Sequence, residues 1–186
     1  MYDILVIGAG PAGASAALIA AKSGKKTLLL DSNQSITKKA WIENHYGVRE
    51  ITGPALVELG QEQAKKFGAE LVQTKVENIE KASEGLRVDT ENGSFEARHV
   101  ILATGLFTDL AEKIGVQTKS GTEPRVKTIV DVDALGKTSV EGIWAAGGIA
   151  GKSLHTIIVA GDGANVAINI ISELNGERYV DHDVLK

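Results

Sequence analysis

Residues 3–31 read DILVIGAGPAGASAALIAAKSGKKTLLLD, and their pattern decides the fold. Residues 3–7 (DILVI) are a short apolar run that ends in glycine, the pattern of a strand buried on both faces. Ala12–Ser23 reads as a helix, alanine-rich as a helix packed closely on a sheet would be, and Gly24 is its natural stop. Residues 27–30 (TLLL) are a second buried strand, ending at Asp31. Strand, helix and strand within about thirty residues make a βαβ unit, normally a right-handed crossover between parallel strands.

Gly8, Gly10 and Gly13 form a GxGxxG between that strand and that helix. The first glycine turns the chain, the second lets backbone approach a pyrophosphate, and the third lets helix lie on strand. Phosphate charge then faces the free N–H groups of the helix N-terminus. Asp31 ends the next strand 18 residues after Gly13, where a carboxylate can accept from both ribose hydroxyls. These features admit NAD or FAD, and the carboxylate disfavours a 2′-phosphate and hence NADP. The bland alternative is glycines for packing and a solvated aspartate.

Composition narrows the field further. The chain has 186 residues, with 20 Lys and Arg against 24 Asp and Glu, a net charge of −4, 43% hydrophobic residues and 21 glycines. Such a length suits one domain with a proper core. Mild acidity without a basic block leaves no electrostatic footprint for nucleic acid or an anionic membrane, so neither is expected as a partner. With no cysteine, the chain has no disulfide, thiolate metal site, Cys nucleophile or redox-active CxxC pair. Residues 4–21 run for 18 positions without a charge, long enough to suggest a membrane span. The run lacks a basic flank and is broken by Gly8, Gly10, Pro11 and Gly13, so a soluble cytoplasmic protein is expected.

Beyond Asp31, residues 32–51 are polar and irregular, with Trp41, Asn44, His45, Tyr46 and Gly47 near their middle, and a loop of this length is usually functional. Thr52 caps a predicted helix over 53–67, with Pro54 in its first turn, Leu56, Leu59, Ala64 and Phe67 toward one face, and Gly68 as terminator. Alternation from Glu70 to Arg98 predicts strands near 70–80, 85–91 and 94–99, the last two joined by a type I′ turn at Asn92-Gly93. Residues 100–103 (VILA) form another buried strand, 106–141 a mixed connection, 142–146 (GIWAA) a last buried strand, and 156–174 a helix ending at Asn175-Gly176. The fold class is α/β, a parallel sheet with an antiparallel β-meander.

At this point the chain resembles the FAD domain of the thioredoxin reductase family, within the pyridine nucleotide-disulfide oxidoreductases. The motifs are GAGPAG at 8–13, IENHYG at 42–47, TGPAL at 52–56, ATG at 103–105, TSVEGIWAAGG at 138–148 and AGDGANVA at 160–167, in the family's order. The resemblance implies a Rossmann-like domain holding FAD in an extended pose. Gly8, Gly10, Pro11, Ala12 and Gly13 would hold the pyrophosphate, Asp31 and Ser32 the adenosine ribose region, and the backbone of Val76 the adenine. Asn44 would lie near the flavin ring, and Ala103, Thr104 and Gly105 would line the path. Gly147 and Gly148 would meet the ribityl chain and phosphates, while Thr156 and Ile157 would present N–H groups to the pyrimidine side. A helix N-terminus there stabilises negative charge that develops on reduction.

Two departures qualify that correspondence. Gly148 stands where the family usually has Asp, which removes a carboxylate bond to the ribityl chain. The family also inserts an NADPH domain carrying a CxxC after its ATG motif, whereas 36 residues separate Gly105 from Gly142 here, too few for such a domain. Residues 1–105 and 138–186 therefore match the two halves of one FAD domain, with 106–137 in place of the NADPH domain. The expected function is a small FAD-dependent oxidoreductase that takes electrons from an external donor, protein or diffusing reductant, to an unspecified acceptor. A non-catalytic FAD-binding sensor, scaffold or subunit is the alternative, and an NAD-dependent dehydrogenase a weaker third. Homodimers are common in the family, and a small domain can bury apolar surface that way. No metal site is expected and no catalytic residue is singled out.

Other residues carry weaker signals. His45 and His155 fall in segments that the family places near the flavin, although a lone His more often serves structure. His99 and His182 read as structural or solvated. Trp41 and Tyr46 are expected to stack on the ring, cover it or pack in its loop, Lys38 and Lys39 to form a solvated face with phosphates or an acidic partner as the alternative, and Asp162 to serve structure or a ligand.

Overall fold

The computed structural model describes residues 1–186 apart from Arg125, His182 and Lys186, so the expectation for His182 lies outside the described residues. The strand β1 (Tyr2–Ile7) places Ile4, Leu5 and Val6 fully out of solvent. It leads into α1 (Pro11–Lys22), which returns the chain to β2 (Thr27–Asp31), paired in parallel with β1. The apolar run at 4–21 is thus divided between a core strand and a core helix. A 3-10 turn at Ile36–Lys39 and the two-residue strands β3 (Trp41–Ile42) and β4 (Ile51–Thr52) interrupt the expected loop.

The helix α2 (Gly53–Lys66) begins where the Thr52 hydroxyl accepts from the Ala55 N–H at 3.3 Å, as its capping position requires. Its buried face differs from the expected one. Val57 and Ala64 face the core, whereas Leu59 and Phe67 are exposed, because the α1 surface beneath meets the helix through Gly60 and Ala14.

Residues 70–80 are two strands rather than one. β5 (Glu70–Gln73) extends the parallel sheet beside β2, and β6 (Val76–Lys81) leaves to pair antiparallel with β7 (Leu86–Thr90). The break falls where the Thr74 N–H donates to the Asp31 carbonyl at 3.0 Å and ends the parallel pairing. Conversely, 94–99 and 100–103 are parts of one long strand, β8 (Gly93–Leu102). One edge of β8 pairs first with β7 and then with the later strand β11 (Ile143–Ala145), while the other edge pairs with β1. Its alternation stops where the strand enters the centre of the sheet and both faces are covered. Nor is the hairpin turn type I′: Gly93 has φ +135° but Asn92 does not take a positive φ. The Thr90 hydroxyl fixes the turn instead, accepting from the Asn92 N–H at 3.2 Å and donating to the Gly93 carbonyl at 2.9 Å.

Between β8 and β11 lie α3 (Asp109–Lys113) and the hairpin of β9 (Thr118–Ser120) and β10 (Thr128–Val130). A 3-10 turn at Gly147–Ala150 precedes the final helix, α4 (Thr156–Asn175). The main sheet has seven strands in the order β5-β2-β1-β8-β7-β6, with β11 also on β8. One face carries Ile4, Val6 and Ile101 against α1 and α4. The other carries Leu5, Ile7 and Leu102 against the meander and the segment after α3. Small residues set the helix layer: Ala16, Ala17 and Ala20 are fully buried, and a side chain at Gly163 would start 2.0 Å from the Ala12 carbonyl oxygen. Among the described residues α4 is the one helix long and apolar enough to cross a membrane, and its Val166, Ala167, Ile170 and Ile171 are buried in this core.

At the end of the sheet remote from the strand tips, the Trp144 Nε1–H donates to His99 Nδ1 at 3.1 Å, with the rings edge to face. Burial first, then the Lys137 and Arg98 charges, hold the His99 pKa below its ordinary value, with Glu173 and Asp3 opposing. The unfolded chain therefore takes up this proton at a higher pH than the folded one does. Stability from His99 is complete above the unfolded pKa of about 6.5 and is lost as pH falls below it. In urea denaturation, the midpoint of wild type is expected to drop more between pH 7.5 and 5.5 than that of His99→Gln, which keeps an acceptor but does not titrate. Equal drops would show that His99 is not the titrating group.

Candidate functional site

Parallel strands present their C-terminal ends on one side of the sheet, and the tips of β2, β1, β8 and β11 open onto a single cavity of about 880 Å³. This is within the range of about 300–1,000 Å³ of small-molecule and cofactor sites, at the edge where α/β sheets bind ligands. Asp31, Ile7, Ala103 and Ala146, at or just beyond those tips, all stand in its wall.

The glycine turn forms the near wall. Gly8 has φ +101°, its N–H donates to the Leu30 carbonyl at 2.8 Å, and a side chain on it would meet the Ala103 carbonyl oxygen at 2.5 Å. Gly13 lies behind the wall rather than in it: a side chain there would begin 1.7 Å from the Gly8 carbonyl oxygen, so its role is close packing of helix on turn. Gly10, Pro11 and Ala12 line the cavity, and Gly10 approaches the Ser35 hydroxyl so closely that a side chain would start 2.9 Å from it. Pro11 has no N–H, and the Ala14 N–H closes the first turn on the Gly10 carbonyl at 2.9 Å. The N–H groups of Ala12 and Gly13 are the donors left at the head of α1.

At one end of the cavity stand Asp31, Ser32, Thr74 and Val76. Asp31 is 8% exposed, and its Oδ2 accepts from the Gln61 side-chain amide at 3.2 Å. Thr74 is buried, its hydroxyl accepting from the Asn92 amide at 3.1 Å. Lys113 closes this end by donating from Nζ to the Glu77 carbonyl at 2.8 Å, joining α3 to β6.

Toward the other end are Thr104, Gly105, Gly148, Leu154 and Thr156. The Thr104 hydroxyl donates to the Phe107 carbonyl at 2.7 Å. Gly147 is not in the wall; its N–H is taken by Asp162 Oδ2 at 2.8 Å, while Lys152 lies 3.3 Å from Asp162 Oδ1. Asp162 thus has the structural role expected of it, tying α4 to the turn beside the cavity. At Gly148 a side chain would start 2.9 Å from Leu154 Cδ2 and 3.0 Å from the Gly105 carbonyl oxygen, so Leu154 takes the space that a longer residue would use. Thr156 opens α4, and its hydroxyl meets His45 Nδ1 at 2.9 Å. The N–H groups of Ile158 and Val159 both reach the His155 carbonyl, leaving those of Thr156 and Ile157 as the free donors of this helix head.

The structure does not bring every expected residue together. Asn44 is exposed and outside the wall, its loop touching α4 through His45, and the side chain of Ile157, expected to act through its N–H, is exposed and outside the wall as well. Trp41 and Tyr46, 60% and 91% exposed, do not cover the cavity. His155 bonds the Ser153 hydroxyl, and Lys38 bonds Asn33 on the surface. Ser35, Thr37, Thr74 and Leu154, which the sequence does not single out, do line the cavity. No local pattern in the sequence marks them.

The comparisons with known proteins agree with this architecture. Residues 2–107 and 41–164 match the family model described as pyridine nucleotide-disulphide oxidoreductase, and the chain belongs to that family. Its members are, in general, FAD-binding flavoproteins. Thioredoxin reductase of Peptoclostridium acidaminophilum is 38% identical over 125 residues, 65% of this chain and 40% of that protein. That of Aquifex aeolicus is 41% identical over 112 residues, 56% of this chain and 34% of the relative. The matched part of the chain thus spans well under half the length of these curated relatives. A thioredoxin reductase structure from Gloeobacter violaceus superposes with TM-score 0.87 at 20% identity, covering 100% of this chain and 99% of that one. The atypical thioredoxin reductase TRi of Desulfovibrio vulgaris Hildenborough gives 0.84 at 20% identity, covering 95% and 99%. These likenesses establish a thioredoxin reductase-like fold.

Substitutions at Asp162, Gly148 and Leu154 test the packing around the turn. Asp162→Ala leaves the buried Gly147 N–H without an acceptor and is expected to cost about 1–3 kcal/mol in chemical denaturation, with Asp162→Asn milder because it keeps an acceptor. Gly148→Asp is expected to lower the thermal midpoint, and adding Leu154→Ala to recover part of the loss.

Proposed function

We propose that this chain is a small FAD-binding oxidoreductase that passes electrons from an external donor to a separate acceptor. The observation that carries the reading is the cavity itself, long enough to meet a glycine turn, a buried carboxylate and two helix heads. Its residues fit the cofactor. Gly10 keeps a side chain out of the wall beside the turn, and Ala12, in the wall at the head of α1, offers its N–H to a pyrophosphate. Asp31 offers an acceptor to a ribose diol at one end. The head of α4, with its Thr156 and Ile157 N–H groups, supplies positive potential at the other, where an electron-rich ring system would gain most.

When bound, FAD supplies the two-electron redox chemistry, and the protein supplies position and field. Residues 1–105 and 138–186 act as the two halves of one cofactor domain, with 106–137 joining them directly. With no cysteine among these 186 residues, a dithiol relay would lie outside them. The donor is a diffusing reductant or a protein partner.

The test is the visible spectrum of the purified protein, identification of released cofactor, and anaerobic addition of NADH or NADPH. Stoichiometric FAD that bleaches is the expected result. FAD that no pyridine nucleotide, dithiol or protein donor reduces would transfer the reading to a sensing or scaffolding module. A colourless protein that takes up no FAD would overturn it.

A further inference from the structure

We propose that Gln61 is a specificity-determining residue of this cavity, setting its preference for a ligand with an intact ribose 2′-hydroxyl by fixing the rotamer of Asp31. The proposal rests on the nucleotide reading given above and adds to it a residue that lies outside the strand tips, on α2.

Asp31 is a carboxylate 8% exposed, standing in the cavity wall at the end of β2. A buried carboxylate needs hydrogen-bond donors to remain there. Among the described residues its side chain receives one such bond, from Gln61 Nε2 to Oδ2 at 3.2 Å. Its backbone carbonyl is engaged separately, by the Thr74 N–H at 3.0 Å, so the main chain on either side is already fixed. What remains free is rotation of the carboxylate about its own axis, and the Gln61 amide removes that freedom.

The geometry divides the carboxylate between two tasks. Oδ2 is tethered to the helix layer, and Oδ1 is left for a donor from the cavity. A vicinal diol supplies such a donor, and the 2′-hydroxyl then bonds a charged acceptor in a poorly solvated place. Loss of a hydrogen bond to a charged group costs about tenfold or more in affinity. Without Gln61 the carboxylate can turn, its Oδ1 is no longer held toward the ligand, and the penalty for a missing hydroxyl shrinks.

The probes are ADP and 2′-deoxy-ADP, titrated calorimetrically into the full chain freed of flavin, with FAD reconstitution followed in parallel. Wild type is expected to bind ADP about tenfold or more tightly than 2′-deoxy-ADP. Gln61→Leu removes the donor and is expected to bring that ratio below about threefold, by the same reasoning. Gln61→Met has about the length and volume of glutamine but no donor and no charge, so it separates packing from hydrogen bonding and is expected to behave as Gln61→Leu does. Both variants are checked for an unchanged circular dichroism spectrum. A ratio as large in both variants as in wild type would overturn the role of Gln61 while leaving the cavity reading intact. So would Gln61→Met keeping the wild-type ratio, since shape alone would then suffice. Failure of wild type to bind ADP or to take up FAD would sink the cavity reading and this proposal together.

Discussion

The approach of Gly13 to the Gly8 carbonyl is the constraint on which the rest depends. A side chain at position 13 would begin 1.7 Å from that oxygen, and one at Gly8 would strike the Ala103 carbonyl. Only glycine at both places lets α1 start where β1 ends while β8 lies alongside. Strand, helix and neighbouring strand then converge on one point, and the cavity is the space left above it. The same economy of side chains continues outward. Gly163 brings α4 against the Ala12 backbone, and a side chain at Gly147 would begin 2.8 Å from Ala12 Cβ. The small residues of α1 are thus shared between the sheet, the last helix and the turn before it.

Charge is arranged with the same restraint. Two helix heads face the cavity, and neither carries an acidic residue in its first turn to neutralise it. Two acidic groups near the cavity are held by specific neighbours, Asp31 by Gln61 and Asp162 by Gly147 and Lys152. Backbone N–H groups are therefore left as the main electropositive feature of the glycine wall. Such groups are fixed by the fold, need no side-chain ordering, and do not titrate in the physiological range.

Much of this was legible in the sequence because it is local. The strand-turn-helix of residues 3–23 declares itself by period and glycine spacing, and Asp31 by its place at the next strand's end. The boundaries of the meander were not legible. Residues 70–81 alternate only loosely, with Leu71 and Val72 adjacent and Gln73, Thr74 and Lys75 all polar, and this pattern does not by itself mark Thr74 as the point where the chain changes partners. In β8 the reverse holds: the pattern changes at its middle although the strand does not end, because both faces become buried where one edge passes from β7 to β11. The cavity wall divides on the same line. Residues at strand tips could be placed in advance, whereas Ser35, Thr37 and Leu154 arrive from loops whose meeting no local pattern records. Asn44 shows the converse, since its place beside a motif in the chain does not bring it into the wall.

The pairing of β8 with β11 has an evolutionary reading. These strands lie side by side in parallel, Val100 opposite Ile143 and Leu102 opposite Ala145, and everything between them is a crossover bearing only α3 and a small hairpin. The register of the sheet is indifferent to what that crossover contains, provided that its two ends return to adjacent tips. Lengthening a closed loop costs little, about 0.6 kcal/mol for each doubling. A joint of this kind lets an entire module be gained or shed between one generation and another of the same scaffold, while the sheet and the cavity at its edge persist unaltered.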